Sequence, residues 1–149
     1  MKFTAAFLFG LIPLALAQNC PPKPATDLEK RAILDTFIDT FLVKKQPANA
    51  MRDHVAEDYI QHNPGVLSGR QNAINAFAGM STASFRYTII TKGFDNNIGW
   101  FHYKMEMPGG GQPYAVTDFV RFNGTCIQEH WDVVQQRPAN PRNPLALWS

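Results

Sequence analysis

The hydrophobic period of this chain changes near Ser84, and that change limits the folds open to it. Before it, apolar residues recur three and four apart, as on one face of a helix; after it they alternate, as in half-buried strands. A chain of 149 residues carrying the two patterns in separate blocks points to an α+β fold, with helices packed against a mainly antiparallel sheet that curls around them. Thr26 and Glu29 form a capping box for the first helix, whose apolar positions Leu28, Ile33, Leu34, Phe37, Ile38, Phe41 and Leu42 run up to Gln46-Pro47. A second helix is expected from Ala48 to Ile60. It stacks Met51, Val55 and Tyr59, leaves His62 on the same side and ends before Pro64. Ser68 and Gln71 open a third helix through Ile74 and Phe77 to about Gly79. Four strands are predicted over 84–92, 97–107, 113–122 and 125–135, separated by Asp95-Asn96-Asn97, Pro108 to Gly111 and Asn123-Gly124.

The ends read differently. Met1-Lys2, an apolar run from Ala5 to Leu16 and the small-x-small triplet Ala15-Leu16-Ala17 predict a cleaved signal peptide over 1–17. The rival, a membrane anchor, is opposed by Gly10, Pro13 and a run shorter than the roughly 20 residues a span requires. Residues 18–25 are a Pro-rich tail, 26–136 the folded domain and 137–149 an irregular tail, whose Leu145, Leu147 and Trp148 call for a sheet to dock on, in this copy or a second one. Export brings the chain into an oxidising compartment, so Cys20 and Cys126 are expected to pair, the alternative being two free thiols. Asn123-Gly124-Thr125 is the chain's Asn-x-Thr glycosylation acceptor. With net charge +2 and 14 basic residues scattered along the chain, no nucleic-acid footprint is present, and a membrane partner is not expected of the mature chain.

The candidate chemistry lies on the last two strands. If Asn123-Gly124 is the whole hairpin loop, Asp118 faces Glu129 and Val116 faces Trp131 on an otherwise apolar inner face. Two carboxylates opposed on such a wall cannot both ionise cheaply, so one stays protonated and can serve as a general acid or base. A slip of one residue, for instance through a bulge at Gly124, replaces Glu129 and Trp131 with His130 and Asp132 on that face, and both sets stay open. His62 is a further acid/base candidate, while Tyr59, Trp100, His102 and Trp131 are candidate substrate contacts. If Phe101, Tyr103 and Met105 face the core, however, His102 points outward. The four histidines are spread without metal-ligand spacing and no metal site is assigned; Gly109-Gly110-Gly111 joins two strands and is not a phosphate loop.

Tyr59 to Pro64, Gly69-Arg70, Asp118-Phe119-Val120-Arg121, Glu129 to Val133 and Gln135 together resemble the SnoaL-like polyketide cyclase family, in its predicted aldol-condensation branch, within the nuclear-transport-factor-2-like superfamily. The resemblance covers about Asp27 to Gln136. It implies a cone-shaped α+β barrel around an apolar pocket, used without cofactors for acid/base chemistry on carbonyl compounds. It also implies a homodimer, and it carries functional roles onto His62, Asp118 and the run Glu129 to Asp132. The expected activity is that of a secreted, cofactor-free cyclase, isomerase or lyase acting on a small hydrophobic carbonyl compound. The alternative is a secreted binder of a small apolar metabolite.

Overall fold

Thr26 caps the first helix as its sequence requires: its hydroxyl accepts the Glu29 backbone N–H, and the Glu29 carboxylate accepts the Thr26 N–H at 2.7 Å. The structure, a computed structural model, describes residues 20–78, 84–145 and 147–148. The signal segment expected over 1–17 and the expected helix end at Gly79 lie outside the described residues. Helix α1 spans Asp27–Ile38 and continues as a π-helical turn over Asp39–Val43. Leu34, Phe37, Ile38 and Leu42 are buried, whereas Leu28, read as a core position, is exposed.

The second helix is shorter than expected. Helix α2 covers Pro47–His54, and Val55–Gln61 is a strand, β1, running parallel to the last strand of the sheet. The spacing that suggested a longer helix was Val55 to Tyr59. An interval of four returns to the same face of a helix, but it is also a whole number of strand periods. Helix α3 covers Arg70–Ala78. Its expected Ser68 cap is engaged elsewhere, because the Ser68 hydroxyl accepts the Gln61 backbone N–H and ties the end of β1 to the loop before α3.

The four later strands fall close to their expected places: β2 Arg86–Asp95, β3 Ile98–Glu106, β4 Tyr114–Asn123 and β5 Cys126–Gln136. The sheet order is β1-β5-β4-β3-β2, mixed and not closed, with three helices packed against it. Leu34, Phe37, Ile38, Leu42 and Met51 from the helices meet Phe94, Phe101, Tyr103, Val116, Val120, Phe122 and Ile127 from the sheet to form the core. Among the described residues no helix is long and apolar enough to cross a membrane. Cys20 and Cys126 form the expected disulfide, which is compatible with an oxidising compartment. Trp148 returns to the outer face of the sheet, its ring 5.6 Å from the Lys104 ammonium, while Leu145 stays exposed.

The last turn of α2 carries a pH dependence. His54 is buried, edge-on to Phe37, and that burial holds its imidazole below the ordinary histidine value, partly opposed by the charge of Asp53. The unfolded chain therefore binds a proton at His54 that the folded chain resists, and stability must fall as pH drops below about 6.5. The contribution of this group is at most about 1.4 kcal/mol per pH unit. Urea midpoints taken from pH 7 to pH 5 should decline, and His54→Gln should flatten that decline. An unchanged slope in the variant would assign the pH dependence to other groups.

Candidate active site

The register of the β4–β5 hairpin decides which side chains enter the interior. Asn123 pairs with Cys126, so the two-residue loop is Gly124-Thr125, and Gln128 is an extra residue between the Phe122–Ile127 and Arg121–Glu129 pairs. Together these displace the pairing from the Asn123-Gly124 loop register by an odd number of residues, and an odd shift exchanges the faces. Asp118 therefore lies opposite Asp132, and Val120 opposite His130. The slipped alternative is the one the structure adopts, although the extra residue is Gln128 rather than Gly124.

Asp118, His130 and Asp132 line a cavity of about 430 Å³ between the sheet and the helices. Its other walls are apolar and aromatic, among them Phe37, Phe41, Phe77, Phe85, Tyr87 and Phe101. A larger groove of about 630 Å³ lies beside the disulfide, lined by Cys20, Pro21, Pro22, Ala56, Glu57, Asp58 and Arg70. The Arg70 guanidinium there is engaged with the backbone carbonyl of Val55, and the groove lacks an apolar enclosure around converging titratable groups. The inner cavity is therefore the better site.

Hydrogen bonds within the cavity fix the protons. Gln61 Oε1 accepts the Asn63 backbone N–H at 3.0 Å, which identifies that atom as the carbonyl oxygen, and it lies 2.7 Å from His130 Nδ1. Nδ1 must then donate. Nε2 of the same ring is 2.8 Å from Asp118 Oδ1. Two lone pairs cannot face each other at that distance, so this contact holds a proton, as imidazolium with carboxylate or as imidazole with carboxylic acid. Asp118 is buried and its other oxygen, Oδ2, has no hydrogen-bond partner. Asp132 is held by the Asn63 side-chain amide at 2.6 Å. Tyr59 and Tyr103 complete this end. Burial, and then the charge of Asp118, push both phenols well above their ordinary value, so both remain donors. One potential ligand atom from each of Asp118, His130 and Asp132 lies within 4.8 Å of the others, making them a metal-capable donor group that the spacing of the histidines alone did not reveal.

The remaining sequence candidates lie outside this cavity. Glu129 and Trp131 occupy the outer face, where Glu129 accepts from Arg121 Nε at 2.6 Å and contacts His62 Nε2 at 2.8 Å, while the His62 ring stacks on Trp131 with centroids 4.7 Å apart. Hydrogen bonds from His62 and Arg121 hold the Glu129 carboxyl below its ordinary value, the opposite of what a general acid near neutrality needs. His62 reaches that face because it follows strand β1, not a helix, and its neighbour Gln61 points inward. Trp100 and His102 pair with Phe119 and Thr117 and share the outer face, since Phe101 and Tyr103 are the buried members of β3. Sequence reasoning missed Gln61, Asn63 and Tyr103. Gln61 and Asn63 stood inside the Tyr59 to Pro64 motif, and Tyr103 alternated with Phe101 and Met105.

Solved structures share this architecture. The chain is similar to a nuclear-transport-factor-2-like protein of unknown function from Mesorhizobium loti, with TM-score 0.62 and 16% identity over 76% of this chain and 97% of that one. A ketosteroid isomerase candidate from Kribbella flavida gives TM-score 0.65 and 14% identity over 83% and 96%. A polyketide cyclase candidate from Acidithiobacillus ferrooxidans gives 0.54 and 15% over 71% and 87%. At such identities the shared property is the nuclear-transport-factor-2-like fold. No curated protein matches the sequence. The SnoaL-like domain family matches residues 34–130, and the chain belongs to that family.

Proposed function

We propose that the protein is a cofactor-independent acid/base enzyme that moves a proton next to the carbonyl group of a small hydrophobic compound, in a reaction of cyclase, isomerase or lyase type. The observation that carries this reading is Asp118: one carboxylate oxygen bound to His130, the other unpartnered, and both at the wall of an apolar cavity. In that setting Oδ2 takes the proton from carbon, and His130 compensates the charge change on Asp118 through Oδ1. The Tyr103 hydroxyl, held protonated by burial, donates to the enolate oxygen as it forms. Gln61 keeps His130 in the tautomer this requires, and Asn63 orients Asp132. The relatives' cyclase and isomerase names agree with this class of chemistry.

A surrogate ketone serves for the test in place of the natural substrate. In D2O, an enzyme of this kind exchanges the α-protons of a bound ketone, and proton NMR of 2-tetralone with and without protein reads the rate. Ketone that binds but exchanges no faster than in buffer would leave the protein a binder of apolar metabolites.

We infer further that the protein is exported, carries a glycan on Asn123 in a eukaryotic host and pairs with a second copy. Asn123 is exposed at the β4–β5 turn, and the outer face of the sheet presents Val133 at 64% exposure beside Trp131. Sedimentation of secreted protein before and after enzymatic deglycosylation reads both the glycan mass and the dimer. Unchanged mass rejects the first, and a monomer at micromolar concentration the second.

A further inference from the structure

The polar end of the cavity is short of positive charge. Asp118 and His130 hold one proton between them and are neutral as a pair, whereas Asp132 adds a carboxylate whose partner, the Asn63 amide, carries no charge. Among the described residues neither Lys nor Arg lines the cavity. Arg121, on the same strand as Asp118, faces outward and is committed to Glu129. The hollow is also large and aromatic. At about 430 Å³ it has room for an organic molecule, and a bare metal ion held at the carboxylates would leave its aromatic walls uncovered. An apolar body filling it expels the water that solvates Asp132, and burying that carboxylate is costly unless the body brings its own positive charge.

We propose that the ligand is an organic cation: an apolar, preferably aromatic body bearing a protonated amine that pairs with Asp132 and leaves the free oxygen of Asp118 facing the reacting carbon. The aromatic walls suit such a molecule by covering its apolar body. Anionic compounds, including free carboxylic acids and phosphate esters, are disfavoured at the same end. This assignment rests on the cavity being where the proposed enzyme holds its substrate, and it narrows the carbonyl substrate to one that carries a basic nitrogen.

Calorimetry at pH 7 with three probes on one skeleton tests it: 2-(naphthalen-2-yl)ethylamine, the matching alcohol and 2-naphthylacetate. The amine should bind at least roughly tenfold tighter than the alcohol, and the carboxylate at least about 100-fold weaker than the amine. Asp132→Asn should bring the amine down to the alcohol and leave the alcohol unchanged. An amine no tighter than the alcohol, a carboxylate that binds comparably, or no binding by any of the three would overturn the proposal. The ranking in wild-type protein is decisive even if the variant does not fold. Exchange of 2-tetralone protons separates the two ideas: exchange without an amine preference removes only the charge assignment, and an amine preference without exchange removes only the proton-transfer reaction.

Discussion

Asp118→Asn should slow the exchange of ketone α-protons by roughly 100- to 10,000-fold, the range over which a positioned acid or base contributes. The substitution keeps the shape of the side chain and replaces one oxygen by an amide nitrogen. Whichever way the amide turns, the site loses the carboxylate that both receives the proton from carbon and shares one with His130 Nε2. Stability should change little, because the amide keeps the shape of the carboxylate and can still hydrogen-bond the imidazole. Circular dichroism and a urea midpoint close to wild type would establish that the loss is chemical. The matched control is Glu129→Gln, which disturbs the outer pair with His62 and Arg121 and should leave exchange within about threefold, as expected of a side chain that touches no reacting group. Asp118→Asn protein that exchanges protons as fast as wild type would remove Asp118 from the mechanism, and a large effect at Glu129 would move the chemistry to the other face of the sheet.

The contrast between these two carboxylates marks how far the sequence could be read. The fold class, three helices, four of the five strands and the disulfide were legible because long periodic segments, the Thr26–Glu29 capping box and cysteine chemistry are local signals. Strand β1 was not, since the interval from Val55 to Tyr59 satisfies both periods and its parallel pairing with β5 is a long-range event. The face carrying the chemistry turned on a single inserted residue. Alternation alone distinguished two sets, Glu129 with Trp131 and His130 with Asp132, but nothing local announces that Gln128 bulges out of the ladder, its side chain bonded to Asp58 across the neighbouring strand. Gln61 and Asn63 were passed over for a related reason. Their roles are to hold other side chains in place, and an amide that fixes a tautomer or orients a carboxylate has no reactivity of its own to draw notice in a sequence.

Replacing Cys20 and Cys126 with serine should lower the unfolding free energy by about 4–5 kcal/mol, the chain-entropy expectation for a bridge that closes a loop of this length. The two cysteines are 106 residues apart, so the bridge ties the segment before α1 to the start of the last strand and encloses nearly the whole domain. A single domain of this size has only about 5–15 kcal/mol to lose. The bridge does not act alone. Lys23 accepts the Thr125 N–H through its carbonyl at 2.9 Å and donates its own N–H to the Thr125 hydroxyl at 3.1 Å, so the tail lies along the β4–β5 turn as a short extra rung. Gly124 permits that approach: its φ is +54°, and a Cβ there would come within 2.1 Å of the Lys23 carbonyl oxygen. Without the covalent tie, the two hydrogen bonds to Thr125, at about 1 kcal/mol each, do not offset the entropy of releasing the tail. Urea unfolding of the double variant beside wild type, followed by amide exchange at Thr125, reads both parts: the midpoint should fall and the Thr125 N–H should lose protection ahead of the sheet. Equal midpoints for the variant and wild type would mean that the bridge leaves the unfolded chain no more restricted than before, and that packing around Ala56 already holds the tail.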